Sequence, residues 1–150
     1  MIKTVICYLE KGDKVLMLYR NKKENDLNGG KYIGVGGHVE KGETIEDAVI
    51  REVKEETNLD IVRLDYFGKV IFYIDDYTEE MYVFTSSEFT GELSECDEGT
   101  LYWVDKNKIL DLPLWEGDKY FIELIKSNIR DFELCLTYKN DKLINVNRVK

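Results

Sequence analysis

The segment from residue 45 to residue 57 places acidic side chains where a helix should be apolar. Apolar residues recur there at about 100° per residue, which predicts a helix with one stripe facing a core. That stripe consists of Ile45, Ala48, Val49 and Val53. Glu52 follows Ile45 by seven residues and Glu56 follows Val49 by seven, so both carboxylates continue the stripe, with Glu55 beside it.

These three glutamates repel one another at helical spacing. Glu52 faces Glu55 at i, i+3 and Glu56 at i, i+4, and like charges there cost a few tenths of a kcal/mol each, or more when desolvated. A solvated acidic helix end is the simpler interpretation, whereas a hard divalent cation with oxygen ligands would relieve the repulsion. Arg51 can pair with Glu55 or reach back to Glu43.

The residues before the helix favour the metal interpretation. Gly34, Gly36 and Gly37 stand where close backbone approach or a positive φ is tolerated. Thr44 with Asp47 is a capping-box pattern and predicts that the helix begins near residue 45. We therefore expect a glycine loop followed by a helix whose end carries converging carboxylates.

This segment, residues 37–59, resembles the signature of the Nudix hydrolases. The matching positions, at the spacing of that signature, are Gly37, Glu43, Arg51, Glu52, Val53, Glu55, Glu56 and Leu59. One position departs, since Asn58 stands where the family usually has Gly. Asn tolerates the left-handed conformation better than other non-glycine residues, so we expect it to end the helix there.

The rest of the chain agrees with one catalytic domain over residues 1–150. The strands are expected at about 2–9, 14–20, 61–74, 80–85, 100–104, 132–138 and 143–149, the last two forming a hairpin that turns at Asn140-Asp141. A second helix is expected over 115–127, with Phe121, Leu124 and Ile125 facing inward. Together they predict an α/β fold, an α/β/α sandwich with a mixed β-sheet, which is also what the Nudix resemblance implies.

Composition limits the partners and the compartment. No apolar run reaches the length of a membrane span and no secretory signal is recognised, so we expect a cytoplasmic protein without a membrane partner. Cys7, Cys96 and Cys135 are an odd, widely spaced set, which indicates free thiols. The net charge of −9 argues against polymeric nucleic acid but not against a single nucleotide. We expect a monomer or a weak homodimer.

The Nudix resemblance implies hydrolysis of a nucleoside diphosphate linked to a further group, with Mg²⁺ as cofactor and Mn²⁺ as an alternative. It implies Glu52, Glu56 and Glu55 as metal ligands, together with the Gly36 carbonyl. Glu52 is the first candidate for the general base. Some relatives use a carboxylate from a later loop, and here that candidate is Glu98, with the neighbouring Asp97 hard to separate from it and simple solvation as the alternative.

The flanking sequence is similar to the MutT-type 8-oxo-dGTP diphosphatases. The similarity implies that Trp115 stacks on the purine and that Asp118 binds its edge. A carboxylate can accept from guanine N1–H and N2–H₂, and base stacking on an aromatic ring is worth about 1–3 kcal/mol. The alternatives are core packing for Trp115 and a favourable first-turn charge for Asp118.

Four further residues bear on the substrate site. Arg20, at the end of the second strand, could contact substrate phosphate or be a surface cation. Phe72 and Met81 could line the base site or belong to the core. Ile33 cannot supply the hydrogen bond that some purine-reading relatives have there.

The sequence therefore predicts a magnesium-dependent nucleoside triphosphate pyrophosphohydrolase that favours oxidised purine nucleotides. A Nudix enzyme acting on ADP-ribose or a dinucleoside polyphosphate is the alternative, and the absence of an additional N-terminal domain is expected to count against ADP-ribose. A non-catalytic Nudix ligand sensor is a third hypothesis. The intact signature glutamates argue against it.

Overall fold

Nine strands and two α-helices make up the fold in a computed structural model that describes residues 1–150. The strands are β1 Ile2–Lys11, β2 Lys14–Tyr19, β3 Tyr32–Ile33, β4 Val35–His38, β5 Asp60–Ile74, β6 Tyr77–Thr90, β7 Thr100–Asp105, β8 Phe132–Lys139 and β9 Lys142–Arg148. The helices are α1 Ile45–Thr57 and α2 Asp118–Lys126, with a 3-10 helix at Lys106–Asp111. Neither α-helix is long and apolar enough to cross a bilayer.

The strands form one mixed sheet. Its main order is β3-β2-β1-β6-β5-β8-β9, with β4 paired to β1 and β7 paired to β2. The β1–β6 and β5–β8 pairs are parallel and the others are antiparallel. The predicted mixed sheet is therefore confirmed.

The two helices cover opposite faces of β1, because successive side chains of a strand point to opposite faces of the sheet. Val5, Cys7 and Leu9 pack in one cluster with the α1 residues Ala48, Val49 and Val53. Ile6 and Tyr8 belong to a second cluster with the α2 residues Phe121 and Ile122. This arrangement confirms the expected α/β/α sandwich, and all three cysteines are free, as predicted.

The predicted helix over 115–127 begins too early. Helix α2 starts at Asp118, and Trp115 lies in the turn before it. The Gly117 backbone is packed against Tyr138, so closely that a Cβ would lie 2.6 Å from the Tyr138 hydroxyl. Phe121 faces inward as predicted, but Ile122 is its buried partner, while Leu124 and Ile125 are only partly buried.

The predicted glycine loop is wrong, since most of it is strand. β4 pairs with β1 in antiparallel register, with Gly36 opposite Ile6 and Gly37 opposite Val5. None of Gly34, Gly36 and Gly37 has a positive φ. Close approach is the reason for glycine at Gly36, because a Cβ there would overlap the carbonyl oxygen of Val5.

Candidate active site

Helix α1 begins and ends as the sequence predicts. The Asp47 amide donates to Thr44 Oγ1 at 3.1 Å, which caps the first turn. Asn58 ends the helix in the left-handed conformation, with φ 66°, and its amide donates to the Lys54 carbonyl. With both ends fixed and its apolar stripe buried, the helix presents its last turn to β4.

The three signature glutamates of α1 have different surroundings. Glu56 is 9% exposed and accepts a 3.3 Å hydrogen bond from the Gly36 amide. The Glu52 side chain is also largely covered, and it fills the space beside the bare backbone of Gly37. The Glu55 side chain is 58% exposed. The structure thus brings Glu52 and Glu56 against β4 and leaves Glu55 at the surface.

Arg51 organises the acidic end of α1. Its Nε and Nη2 donate to the Glu43 carboxylate at 2.8 and 3.0 Å, and Nη2 also donates to the His38 carbonyl. Nη1 donates to Glu52 at 2.8 Å and to Glu55 at 3.3 Å. Both predicted pairings of Arg51 are therefore present, and the fork to Glu43 lowers the pKa of that carboxyl to about 2. This geometry gives the signature residues Glu43 and Arg51 a structural role at the acidic end of α1.

Glu98 joins this cluster from the loop after β6. Burial, followed by the hydrogen bond and charge of Glu98, raises the pKa of Glu56 to about 9. Partial burial opposes ionisation of Glu98, but the hydrogen bond from Glu56 and the charges of Arg20 and Lys23 lower its pKa overall. The proton is therefore favoured on Glu56 rather than on Glu98. Asp97 is exposed, whereas Glu98 is partly buried, so the structure distinguishes the two acids that the sequence could not.

The donor set suits a hard divalent cation. Carboxylate and carbonyl oxygens are the ligands that Mg²⁺ and Mn²⁺ prefer, and Glu52, Glu56, Glu98 and the Gly36 backbone supply them around one strand edge. As placed, no three carboxyl, thiol or imidazole groups converge on a single point. Metal binding would therefore draw the side chains of Glu52 and Glu56 toward one point. We keep Glu52, Glu55, Glu56 and Gly36 as proposed ligands.

Arg20 lies against acidic partners. Its Nε donates to Asp26 Oδ2 at 2.7 Å and its Nη1 donates to Glu98 Oε2 at 3.3 Å. The surface-cation alternative therefore does not hold, since only 13% of the Arg20 side chain is exposed. Contact between Arg20 and a substrate phosphate stays a proposal. Sequence reasoning missed Asp26, because nothing in its local pattern marks it as the partner of Arg20.

Trp115 is anchored as well as packed. Its Nε1 donates to Asn28 Oδ1 at 2.7 Å, and its ring meets Tyr138 edge-on at 5.7 Å. The Lys31 ammonium lies 4.5 Å from the ring centroid. A base that stacks on Trp115 would therefore use the face away from Lys31 or displace its ammonium.

Asp118 is a buried carboxyl, with 6% of its surface exposed. Burial raises its pKa to about 7. Tyr8, across from α2 on β1, has the only buried side-chain polar atom without a hydrogen-bond partner, its hydroxyl. Phe72 and Met81 are buried in the same core cluster as Tyr8. No sequence signal distinguishes Tyr8 from an ordinary strand residue.

The two groups of residues lie at the two ends of the β3–β4 segment. The Tyr32 amide donates to the Pro113 carbonyl at 2.9 Å, which ties the segment to the turn that carries Trp115. Four residues later, the Gly36 amide contacts Glu56. Four residues extend over roughly 14 Å at most. The acidic cluster and the Trp115–Asp118 turn are therefore near enough to contact one nucleotide.

The NUDIX domain family matches residues 2–125, and the chain belongs to this family. Its members hydrolyse phosphoric anhydride bonds, so the protein is a Nudix hydrolase. Within the family its likeness is to MutT-type proteins. The crystal structure of a MutT protein from Bacillus halodurans superposes with a TM-score of 0.90 at 26% identity, covering 99% of this chain and 98% of that one.

Curated relatives span more than one activity. The Bacillus subtilis protein described as uncharacterized Nudix hydrolase YvcI is 34% identical over 79% of this chain and 75% of its own length. The oxidized purine nucleoside triphosphate hydrolase of Danio rerio is 34% identical over 69% of this chain and 67% of its own. The NAD-capped RNA hydrolase NudC of Haemophilus influenzae is 32% identical over 81% of this chain, but only 41% of that protein is covered.

Proposed function

We propose that the protein is a magnesium-dependent nucleoside triphosphate pyrophosphohydrolase that favours 8-oxo-dGTP and so removes oxidised nucleotides from the cytoplasmic pool. The observation that supports this proposal is the placement of Glu52 and Glu56 against the glycine backbone of β4, with Glu98 beside Glu56. Three acids around bare glycine backbone suit a metal-bound polyphosphate.

The reaction requires a base, an aligned water and charge neutralisation. The oxygen of water forms a bond to an inner phosphorus, the bridging P–O bond breaks, and nucleoside monophosphate and pyrophosphate leave. The proton of the water passes to a carboxylate, for which Glu52 is the first candidate and Glu98 the second. Mg²⁺, when bound, neutralises phosphate charge and lowers the pKa of the attacking water. Arg51 sets the orientation of Glu52 through its 2.8 Å hydrogen bond.

Recognition of the base is assigned to Trp115 and Asp118. An ionised Asp118 would accept from guanine N1–H and N2–H₂, while the Trp115 ring would stack on the base. Trp115 has a fixed orientation because Asn28 holds its indole N–H. The similarity to the Danio rerio relative, which is named as a hydrolase of oxidised purine nucleoside triphosphates, supports this choice of substrate.

A second substrate class keeps the same chemistry. The similarity to NudC supports a nucleotide in which a larger group replaces the terminal phosphate, such as a dinucleotide, ADP-ribose or a dinucleoside polyphosphate. In that case the acidic cluster would keep its role, and Trp115 and Asp118 would lose theirs.

A product assay with Mg²⁺ separates these substrates. The panel holds 8-oxo-dGTP, dGTP, the other dNTPs, ADP-ribose and a dinucleoside polyphosphate, and both pyrophosphate and nucleoside monophosphate are measured. We expect the highest kcat/KM for 8-oxo-dGTP. Preference for ADP-ribose or the polyphosphate would overturn the substrate assignment, and no turnover of any anhydride would overturn the catalytic one.

A further inference from the structure

A continuous series of hydrogen bonds joins the Trp115 turn to the acidic cluster. The Trp115 indole donates to the Asn28 side chain, whose backbone amide donates to Asp26 Oδ1 at 3.1 Å. Arg20 then donates from Nε to Asp26 Oδ2 and from Nη1 to Glu98. The two ends of the proposed nucleotide site are thus connected through the loop of residues 20–31.

Asp26 is the branch point of this series. Its side chain is 8% exposed, and its two oxygens serve different directions, Oδ1 toward Asn28 and Oδ2 toward Arg20. A pair of a buried guanidinium and a carboxylate is strong because each charge would be uncompensated without the other. Neither oxygen can be lost without freeing one end of the series.

The loop itself has little freedom. Backbone hydrogen bonds close its base, from the Arg20 amide to the Lys31 carbonyl at 3.0 Å and from the Gly30 amide to the Arg20 carbonyl at 2.9 Å. Lys31 contacts the Trp115 ring from the same loop. The other cation that pairs with the Glu98 carboxylate is Lys23, whose ammonium lies 3.3 Å from Glu98 Oε1. Because the Lys23 side chain is 53% exposed, this pair is the weaker constraint.

We propose that Asp26 is a positioning residue that fixes the distance and orientation between Trp115 and Glu98. Through it, a displacement at the base-contacting end is transmitted to the carboxylate beside the reacting phosphate, so base recognition and turnover are coupled. The inference deepens the proposed function and rests on it for the roles of Trp115 and Glu98.

The first test needs no substrate. The chain has two tryptophans, and Trp103 lies stacked on Phe89 and packs against the core cluster of α1, whereas Trp115 packs against the cluster of α2. In a ¹H–¹⁵N spectrum of the full chain, Asp26→Asn and Arg20→Lys should both shift the Trp115 indole resonance and leave that of Trp103 in place. Lysine keeps the charge of Arg20 but cannot bridge two carboxylates as a planar fork does.

Asp105→Asn is the matched control, since it breaks a Lys14–Asp105 pair of 2.8 Å at the exposed end of β2. It should leave the Trp115 resonance unchanged. An unchanged Trp115 indole resonance in Arg20→Lys would overturn the proposal, because a change at Arg20 would then not reach Trp115 through Asp26.

The second test is a double-mutant cycle on kcat. Trp115→Phe keeps an aromatic ring but removes the indole donor, and Arg20→Lys alters the other end. We expect the double variant to deviate at least fivefold from the product of the two single effects. In the D26N background the deviation should fall to within twofold of unity, and a deviation that survives D26N would contradict the proposal.

The two tests separate this inference from the substrate assignment. The cycle can be run on whichever nucleotide of the panel is turned over, and the indole readout requires none. A coupled indole response in an enzyme that prefers another nucleotide would overturn the 8-oxo-dGTP assignment and support the role of Asp26. Preference for 8-oxo-dGTP without an indole response would support the substrate assignment and overturn the role of Asp26.

Discussion

The carboxylate of Glu52 occupies the space that a side chain at position 37 would need. A Cβ built on Gly37 lies 2.6 Å from Glu52 Cδ and 2.7 Å from both of its oxygens. The glycine is thus required by contact between a strand and a helix rather than by backbone conformation, because its φ is not positive. Any side chain there would push the proposed catalytic carboxylate out of the site.

Gly37→Ala should therefore reduce activity far more than stability. The new methyl group meets the end of a flexible side chain, which can rotate away, so we expect a Tm within a few degrees of wild type. We expect kcat to fall by about 10²-fold or more, since displacement of a catalytic group by about 1 Å has that effect. Steady-state kinetics and thermal unfolding of the same preparation check both.

Gly36→Ala is the matched comparison. A methyl group there overlaps the carbonyl of Val5 in the neighbouring strand, which cannot move without breaking β-sheet pairing. Its Tm should fall well below that of Gly37→Ala. Equal stabilities for the two variants would show that the contacts of β4 are not as described.

Glu52→Gln tests the assignment of the base. Loss of a general base costs typically 10²–10⁴-fold in rate, and we expect kcat to fall in that range with an unchanged circular dichroism spectrum. Glu46→Gln, an exposed glutamate in the first turn of the same helix, should retain wild-type kcat. If Glu98→Gln loses more than Glu52→Gln does, Glu98 is the base.

Local chemistry made helix α1 predictable. The Thr44 cap, the apolar stripe and Asn58 each act within one or two turns, and the structure has all three where the sequence placed them. The interior position of Glu56 followed from the same periodicity, because a residue seven positions after Val49 must share its face.

The sequence could not locate what depends on contacts between distant segments. β4 is strand because β1 lies beside it, and its glycines resemble a loop when read alone. Asp26 and Asn28 acquire their roles only through Arg20 and Trp115, the latter 87 positions from Asn28. Likewise, the Gly117 amide before α2 donates to the hydroxyl of Tyr138, which comes from the distant strand β8.

Asp118 should make stability depend on pH. Its pKa rises from 3.8 unfolded to about 7 folded, so the folded state binds the proton more tightly. That contribution is complete below pH 3.8 and is lost as pH rises through 7, by up to about 4 kcal/mol. Asp118→Asn has no such loss. In urea titrations, its free energy of unfolding relative to that of the wild type should therefore increase between pH 5 and pH 8.5. Parallel pH profiles would contradict the burial of an ionisable Asp118.

Asp118→Ala tests base reading separately from stability. If the carboxylate accepts from guanine, KM should rise about tenfold or more for guanine-type nucleotides, the loss of a charged hydrogen bond. A poor pyrimidine substrate should keep its KM. A uniform rise across all bases would assign Asp118 a structural role only.

Removal of the Tyr8 hydroxyl should stabilise the protein, whereas removal of the Tyr138 hydroxyl should destabilise it. The Tyr8 hydroxyl is buried without a partner, and an unsatisfied buried polar group costs about 1–3 kcal/mol. Tyr8→Phe should therefore raise the free energy of unfolding by about 1 kcal/mol or more. The Tyr138 hydroxyl accepts from the Gly117 amide at 2.7 Å, so Tyr138→Phe leaves that amide unpaired and should lower stability by a similar amount. Urea unfolding of the two variants at one pH gives both values, and destabilisation by Tyr8→Phe would mean that its hydroxyl has a partner in solution.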